Sequence, residues 1–425
     1  MMGRFGRRPD ISVNDTDLAE SENEINISDD ELYDELSETN GYYEKVSKIY
    51  STVRYVLIIV LVIFVTLSTI KNSGSITYSN LMFLFKDLGS AAESSNAKFG
   101  TITYNPDTTL ACAGFRKNLA TASSAGVKIY SGDGKKIFDG TDKFVSPMIE
   151  TSDRYLLVYD FGGKDYALYN SFARIFTEEL DYEITGADIS ESGTYAIVTR
   201  TKEYNSAVLL YTKSCVLKTR YKTDDRVTDV SVNRNGTRLC VLSFTSENAA
   251  FVTRIVILKP GETTAVAELT LSDTFPLACN YTDDGRLTVF CDNALYFYDG
   301  DGNLESSFPL SSVPNTADFS DDGCVISASE NAVTTGNRVT VLDTRGNTVY
   351  SGTFSGKTAG VAYCDGYLFV LSGNRVCRTN VKSGETVEKT TEGGKKMIVY
   401  SGDDVLVCSQ SKAEYFNFDI TEDND

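Results

Sequence analysis

Ala187-Asp-Ile-Ser-Glu-Ser-Gly193-Thr-Tyr-Ala-Ile-Val198 is an extended run, a tight turn and a second extended run within twelve residues. A short polar residue followed by glycine supplies the positive φ that a hairpin of this length needs. The pattern returns as Val230-Ser-Val-Asn-Arg-Asn-Gly236-Thr-Arg-Leu-Cys-Val-Leu242 and as Cys279-Asn-Tyr-Thr-Asp-Asp-Gly285-Arg-Leu-Thr-Val289. Ala317-Asp-Phe-Ser-Asp-Asp-Gly323-Cys-Val-Ile326 is a fourth copy. The run after each glycine is apolar without alternation, as expected of a strand buried on both faces. Periodic hairpins of this kind exclude a helical domain for this part of the chain.

Each copy is followed by a third strand, a second turn and a fourth strand. Gly126-Val-Lys-Ile-Tyr130, Asn293-Ala-Leu-Tyr-Phe-Tyr298 and Arg338-Val-Thr-Val-Leu342 are third strands. Ser131-Gly-Asp-Gly134, Asp299-Gly-Asp-Gly302, Thr344-Arg-Gly346 and Lys382-Ser-Gly384 are second turns. Four antiparallel strands recurring every ~35–48 residues describe the blades of an all-β propeller. First strands near residues 109, 143, 184, 226, 274, 313, 357 and 395 make eight units over residues 98–420. Seven remains open as a count, because the first two units are weakly patterned. The last unit holds three strands, and Phe99-Gly-Thr-Ile-Thr-Tyr104 is available as its fourth.

The turn Ser320-Asp-Asp-Gly323 and its copies resemble the hairpins of TolB-like, YVTN-type and WD40-like propeller repeats, although the Trp-Asp dipeptide of true WD40 repeats is missing. The whole layout also resembles an uncharacterised clostridial and Firmicute family, known only as a domain of unknown function. Its members are single-span membrane proteins with a propeller outside. The residues that carry this resemblance are Ile76-Thr-Tyr-Ser-Asn-Leu81, Gly126-Val-Lys-Ile-Tyr-Ser and Arg154-Tyr-Leu-Leu-Val-Tyr-Asp-Phe-Gly-Gly163. The resemblance implies a Gram-positive envelope location and brings no activity with it.

Outside the repeats, Tyr55 to Ile70 (YVLIIVLVIFVTLSTI) carries no charge. As a helix it spans ~24 Å, and extension back to Ile49 supplies the missing turn of a membrane span over residues 49–71. Arg54 then snorkels to the headgroups. Lys45, Lys48 and Arg54 flank the N-terminal side and Lys71 the other, a bias that places the N-terminus in the cytoplasm and the propeller outside. Residues 1–48 are acidic and poor in large apolar side chains, the composition of a disordered tail. Within them Ser28-Asp-Asp-Glu31 has capping-box spacing, which leaves a short helix docking a cytoplasmic partner as the second reading beside the favoured solvated acidic tail. Residues 72–97 read as a short juxtamembrane helix (Ser79 to Leu88) and a linker, and residues 421–425 as a disordered end.

Composition narrows the chemistry. The net charge of −19 repels phosphate backbones, so nucleic acid is excluded as a partner. Histidine is absent, which removes Ser-His-Asp and Cys-His sites, imidazole zinc sites and a histidine base. The nine cysteines form no CxxC and most lie in apolar runs, where Cys packs as a small hydrophobe, a reading favoured over a disulfide framework, which an odd number would leave with one thiol unpaired. Asp299-Gly-Asp-Gly-Asn303 starts like a calcium loop but has Leu304 and Leu310 where such a loop needs Gly and Glu. The Ser190-Glu-Ser-Gly193 turn departs from a sialidase Asp-box at Ser192 and lacks its Trp. No cofactor, metal or catalytic residue is therefore expected.

The expectation is a single-pass cell-membrane protein whose propeller is a non-catalytic binding or scaffold module for a protein or cell-wall polymer. A surface glycan hydrolase or lyase working through channel carboxylates is the alternative, and acids converging on the channel mouth would favour it. A signalling or assembly component docking through the acidic tail is the third reading.

Overall fold

The computed structural model describes residues 45–60, 62, 100–105, 109–170, 173–262, 264–329 and 336–419. The chain divides into two units, Met1–Ser73 and Gly74–Asp425. The described part of the first is one helix, α1 (residues 45–60), whose large apolar side chains, from Val46 to Val60, are all exposed. Residues 45–48, assigned above to the disordered tail, are already helical. No helix among the described residues is long and apolar enough to cross a membrane. The rest of the expected span, the tail helix at Ser28, the juxtamembrane segment and the C-terminal end lie outside the described residues.

The described residues of the second unit form thirty-two strands, β1 (Ile102–Thr103) to β32 (Lys412–Asn417), in eight four-stranded antiparallel sheets. The propeller therefore has eight blades, and the seven-blade count is set aside. Seven blades are consecutive quartets. Their innermost strands are β2 (Ala111–Phe115), β6 (Pro147–Thr151), β10 (Ile184–Ile189), β14 (Arg226–Val232), β18 (Pro276–Tyr281), β22 (Thr316–Ser320) and β26 (Thr358–Cys364). The eighth blade runs from β30 (Lys396–Val399) through β31 (Asp404–Cys408) and β32, and β1 completes it as the outermost strand.

Burial explains why the blades stack. The second strand of each blade buries both faces, and alternate residues enter different cores. On β11 (Tyr195–Thr199), Tyr195 and Ile197 pack against blade 2, whereas Ala196 and Val198 pack against blade 4. On β15 (Leu239–Glu247), Leu239 and Val241 face blade 3 while Cys240 and Leu242 face blade 5. There are eight hydrophobic cores, one at each blade boundary. All nine cysteines are free, and seven of them are buried.

Ring closure rests on a short contact. Ile102 pairs with Ala413 and Thr103 with Lys412. Tyr104 then reinforces the clasp: its amide donates to Ser411 O at 2.9 Å, and its hydroxyl donates to Ser409 O at 2.7 Å and Lys412 O at 2.8 Å. Tyr104→Phe should remove the hydroxyl bonds while keeping the ring packed, at a cost of about 1–2 kcal/mol. The check is the urea midpoint of the propeller, which should fall with an unchanged m value.

Candidate functional site at the channel mouth

The first turns of blades 1 to 6 put one charged side chain each at the end of the central channel. Gly193, Gly236 and Gly285 take φ of +81°, +65° and +82°, and each donates its amide to the carbonyl three residues back. That geometry is open to glycine and strained for other residues. The residue after the turn's first position, Glu191, Arg234, Asp283 or Asp321, lines the mouth with Arg116 and Asp153 from blades 1 and 2. The cavity there holds about 590 Å³.

Its charges are linked across blades. Arg234 Nε lies 2.6 Å from Glu191 Oε2, and Arg234 also pairs with Asp283. Arg116 Nε donates to Asp153 O at 2.6 Å. Burial raises the Asp321 carboxyl to about 6, and the neighbouring Asp283 carboxylate, to which it is hydrogen-bonded, adds to the shift while Arg234 opposes it.

Deeper in the channel, half-buried carboxyls follow the inner strands. Glu150 of blade 2 feels Asp188 of blade 3, Asp229 of blade 4 and Lys396 of blade 8, a set that only the ring's axis brings together. Burial is the main cause of every shift here: Glu150 rises to about 8, Asp229 to about 7, and Asp188 and Asp318 to about 6. Amide donors oppose it at Asp188 and Asp229, and Lys396 opposes it at Glu150 and Asp318. The innermost strands present a free edge to the channel, and these side chains satisfy it. Asp188 accepts the Val232 amide at 2.6 Å, Asp229 those of Cys279 at 2.8 Å and Val230 at 2.9 Å, and Ser231 Oγ that of Tyr281 at 2.9 Å.

Metal-type donors are similarly engaged. Asp322, Cys364 and Asp365 come together among the described residues. Asp322 accepts the Asp365 amide and Asp365 that of Gly402, each at 2.9 Å, which joins the turns of blades 6, 7 and 8. Burial pushes the Cys364 thiol up to about 12, away from the thiolate a metal would need. Asp299, in the turn that begins like a calcium loop, accepts the amides of Asp301 and Asn303 and the Asn303 side chain. Lys45, Lys48 and Arg54 lie on α1, and Lys71 is outside the described residues.

A second concavity, of about 540 Å³, opens on the side of the ring between blades 2 and 3. Phe176, Leu209, Tyr211 and Leu217 line it together with Glu178 and Arg220. Sequence reading missed both sites. The mouth residues had a signal, because they occupy one position of the repeated turn. The side groove had none, because its walls come from strands of two blades.

Residues 98–417 match the model of DUF5711, a family of unknown function. The chain belongs to that family. No curated protein matches it. Among solved structures, BamB from Moraxella catarrhalis is similar, with a TM-score of 0.51 at 14% identity over 77% of this chain and 99% of that one. Sqt1 from Chaetomium thermophilum, solved bound to the N-terminus of the ribosomal protein L10, gives a TM-score of 0.53 at 12% identity over 75% and 98%. Likeness at this identity extends to the fold.

The raised carboxyls have a consequence for stability. A carboxyl whose folded pKa exceeds its unfolded value near 4 holds its proton more tightly in the native state. That contribution is complete below the unfolded value and is lost as pH climbs through the folded one. Stability should therefore decline from about pH 4 to about pH 8, the window set by Glu150. Glu150→Gln should match the unsubstituted protein at pH 4 and exceed it at pH 8, read as urea midpoints at both pH values.

Proposed function

We propose that this protein is a membrane-anchored, extracytoplasmic binding module whose propeller holds a protein or cell-envelope ligand without transforming it. The observation that carries this reading is the state of the channel carboxylates. Asp188 and Asp229 accept main-chain amides, and Arg234 pairs with both Glu191 and Asp283. Groups held this way orient a ligand's polar atoms and are poorly placed to deliver or accept a proton. The apolar side groove adds a surface suited to polypeptide, and the L10-bound state of Sqt1 is an example of a propeller fold engaging a protein.

The anchor is supported by α1, which is apolar on all sides from Tyr55 to Val60 and has Lys45, Lys48 and Arg54 on the N-terminal side of that stretch. Those charges favour a cytoplasmic N-terminus, with the acidic tail free to meet a partner there. A hydrolase is the second reading, favoured by one feature: Asp321, raised to about 6 beside Asp283, resembles a pair of carboxyls that share a proton.

The deciding experiment incubates residues 98–425 with purified envelope proteins and wall polymer, then measures both retention and released sugar. Retention without release is expected, and Arg234→Glu should reduce it where Lys382→Glu, in a second turn, does not. Release that disappears in Asp321→Asn would replace the binding reading with hydrolysis. Loss of function on deleting residues 10–40 would assign the tail a docking role beyond tethering.

A further inference from the structure

The boundary between blades 8 and 1 is where the ring closes, and β1 brings only two residues to it. Two thiols lie beneath that clasp. Cys112 is on β2 of blade 1 and is 7% exposed; Cys408 ends β31 of blade 8 and is 2% exposed. Their thiols interact with each other and with the hydroxyl of Tyr104, the residue that fastens the clasp. Both belong to one core with Ile102, Leu119, Ile398 and Ala413. In sequence, nearly the whole propeller separates them.

We infer that Cys112 and Cys408 form a disulfide that locks the ring covalently at its closing boundary. A cross-link between residues so far apart in sequence constrains the unfolded chain strongly, because the closed loop is long. It also spans the seam at which β1 is held to β32 by strand pairing rather than by the chain itself. The lock rests on the extracytoplasmic placement proposed above, since cytoplasmic thiols face a reducing pool.

The chemistry needs a disulfide oxidant, either a thiol–disulfide oxidoreductase or a small disulfide RSSR. The Cys112 thiolate attacks one sulfur of RSSR, giving a mixed disulfide and releasing RS⁻. Cys408, after losing its proton, attacks the Cys112 sulfur and displaces the second RS⁻. Two protein thiols are oxidised, and RSSR is reduced to two RSH. Of the two, Cys112 is the attacking thiol: its contact with Cys408 lowers its pKa against the opposing effect of burial, whereas Cys408 is raised well above its ordinary value.

The molecule contains a second cysteine pair. Cys240 on β15 and Cys279 on β18 also interact, across the boundary of blades 4 and 5. There burial holds the Cys279 thiol well above its ordinary value, with Cys240, Asp229 and Asp188 adding to the shift. The Cys408 thiol is likewise held high, so the two pairs differ in place: only Cys112 and Cys408 lie where the ring closes.

The test uses the purified full chain, equilibrated in oxidised and reduced glutathione, alkylated, digested and mapped by mass spectrometry. A linked Cys112–Cys408 peptide, seven remaining thiols of the nine and a Tm several degrees above the reduced protein are expected. The Tm shift should vanish in both Cys112→Ser and Cys408→Ser. Nine thiols with no linked peptide, glutathione adducts alone, or a link confined to Cys240–Cys279 would overturn the inference. The peptide map needs no variant to fold. A link that forms in glutathione but is absent from protein alkylated at cell lysis would support the lock and overturn the extracytoplasmic placement.

Discussion

Burial of both faces of the middle strands is the constraint from which the rest of the propeller follows. A strand such as Tyr195–Thr199 presents apolar side chains in two directions, and one blade can cover only one of them. Each blade must borrow its second cover from a neighbour, and the only arrangement in which every blade has two neighbours is a closed ring. The cores accordingly lie between the blades, so stability belongs to the circle rather than to its parts. Ring closure then becomes the exposed point of the design. A two-residue strand, one tyrosine hydroxyl and a shared core hold it.

The same ring creates the channel and its electrostatics. Eight innermost strands have no partner on the channel side, and their amides need acceptors. Carboxylates meet that need locally, but the axis brings acids from several blades into one confined space. Dehydration there raises their pKa values together, and repulsion between acids adds to it at Glu150 and Asp229. Lys396 and Arg234 offset part of that cost. Acids do converge on the mouth, the feature named above as favouring a hydrolase. Glu191 and Asp283 arrive paired with Arg234, which is the physical reason for preferring recognition to catalysis.

The legible part of the fold was the part written in local pattern. Glycine after a short polar residue marked the first turns, and unbroken apolar runs marked the doubly buried strands. The expected start of the fourth first strand, near residue 226, coincides with that of β14 (Arg226–Val232), and that of the first, near 109, falls two residues before β2. The expectation that the segment before residue 105 completes the last blade was met by Ile102–Thr103. It was readable because the final unit lacked a strand and the domain's start had one to spare.

The sequence by itself determined the propeller, its repeated four-strand units and its lack of histidine chemistry, because hairpin turns, strand patterning and composition are local properties; the count of eight over seven came from the sheets. Only the tertiary structure decided which residues meet. Glu150, Asp188, Asp229 and Lys396 are scattered through more than half of the chain, and Cys112 and Cys408 lie near opposite ends of the domain. Each group becomes a site through ring closure, which brings distant strands to a common axis or a common boundary and leaves no trace in the spacing of the residues themselves.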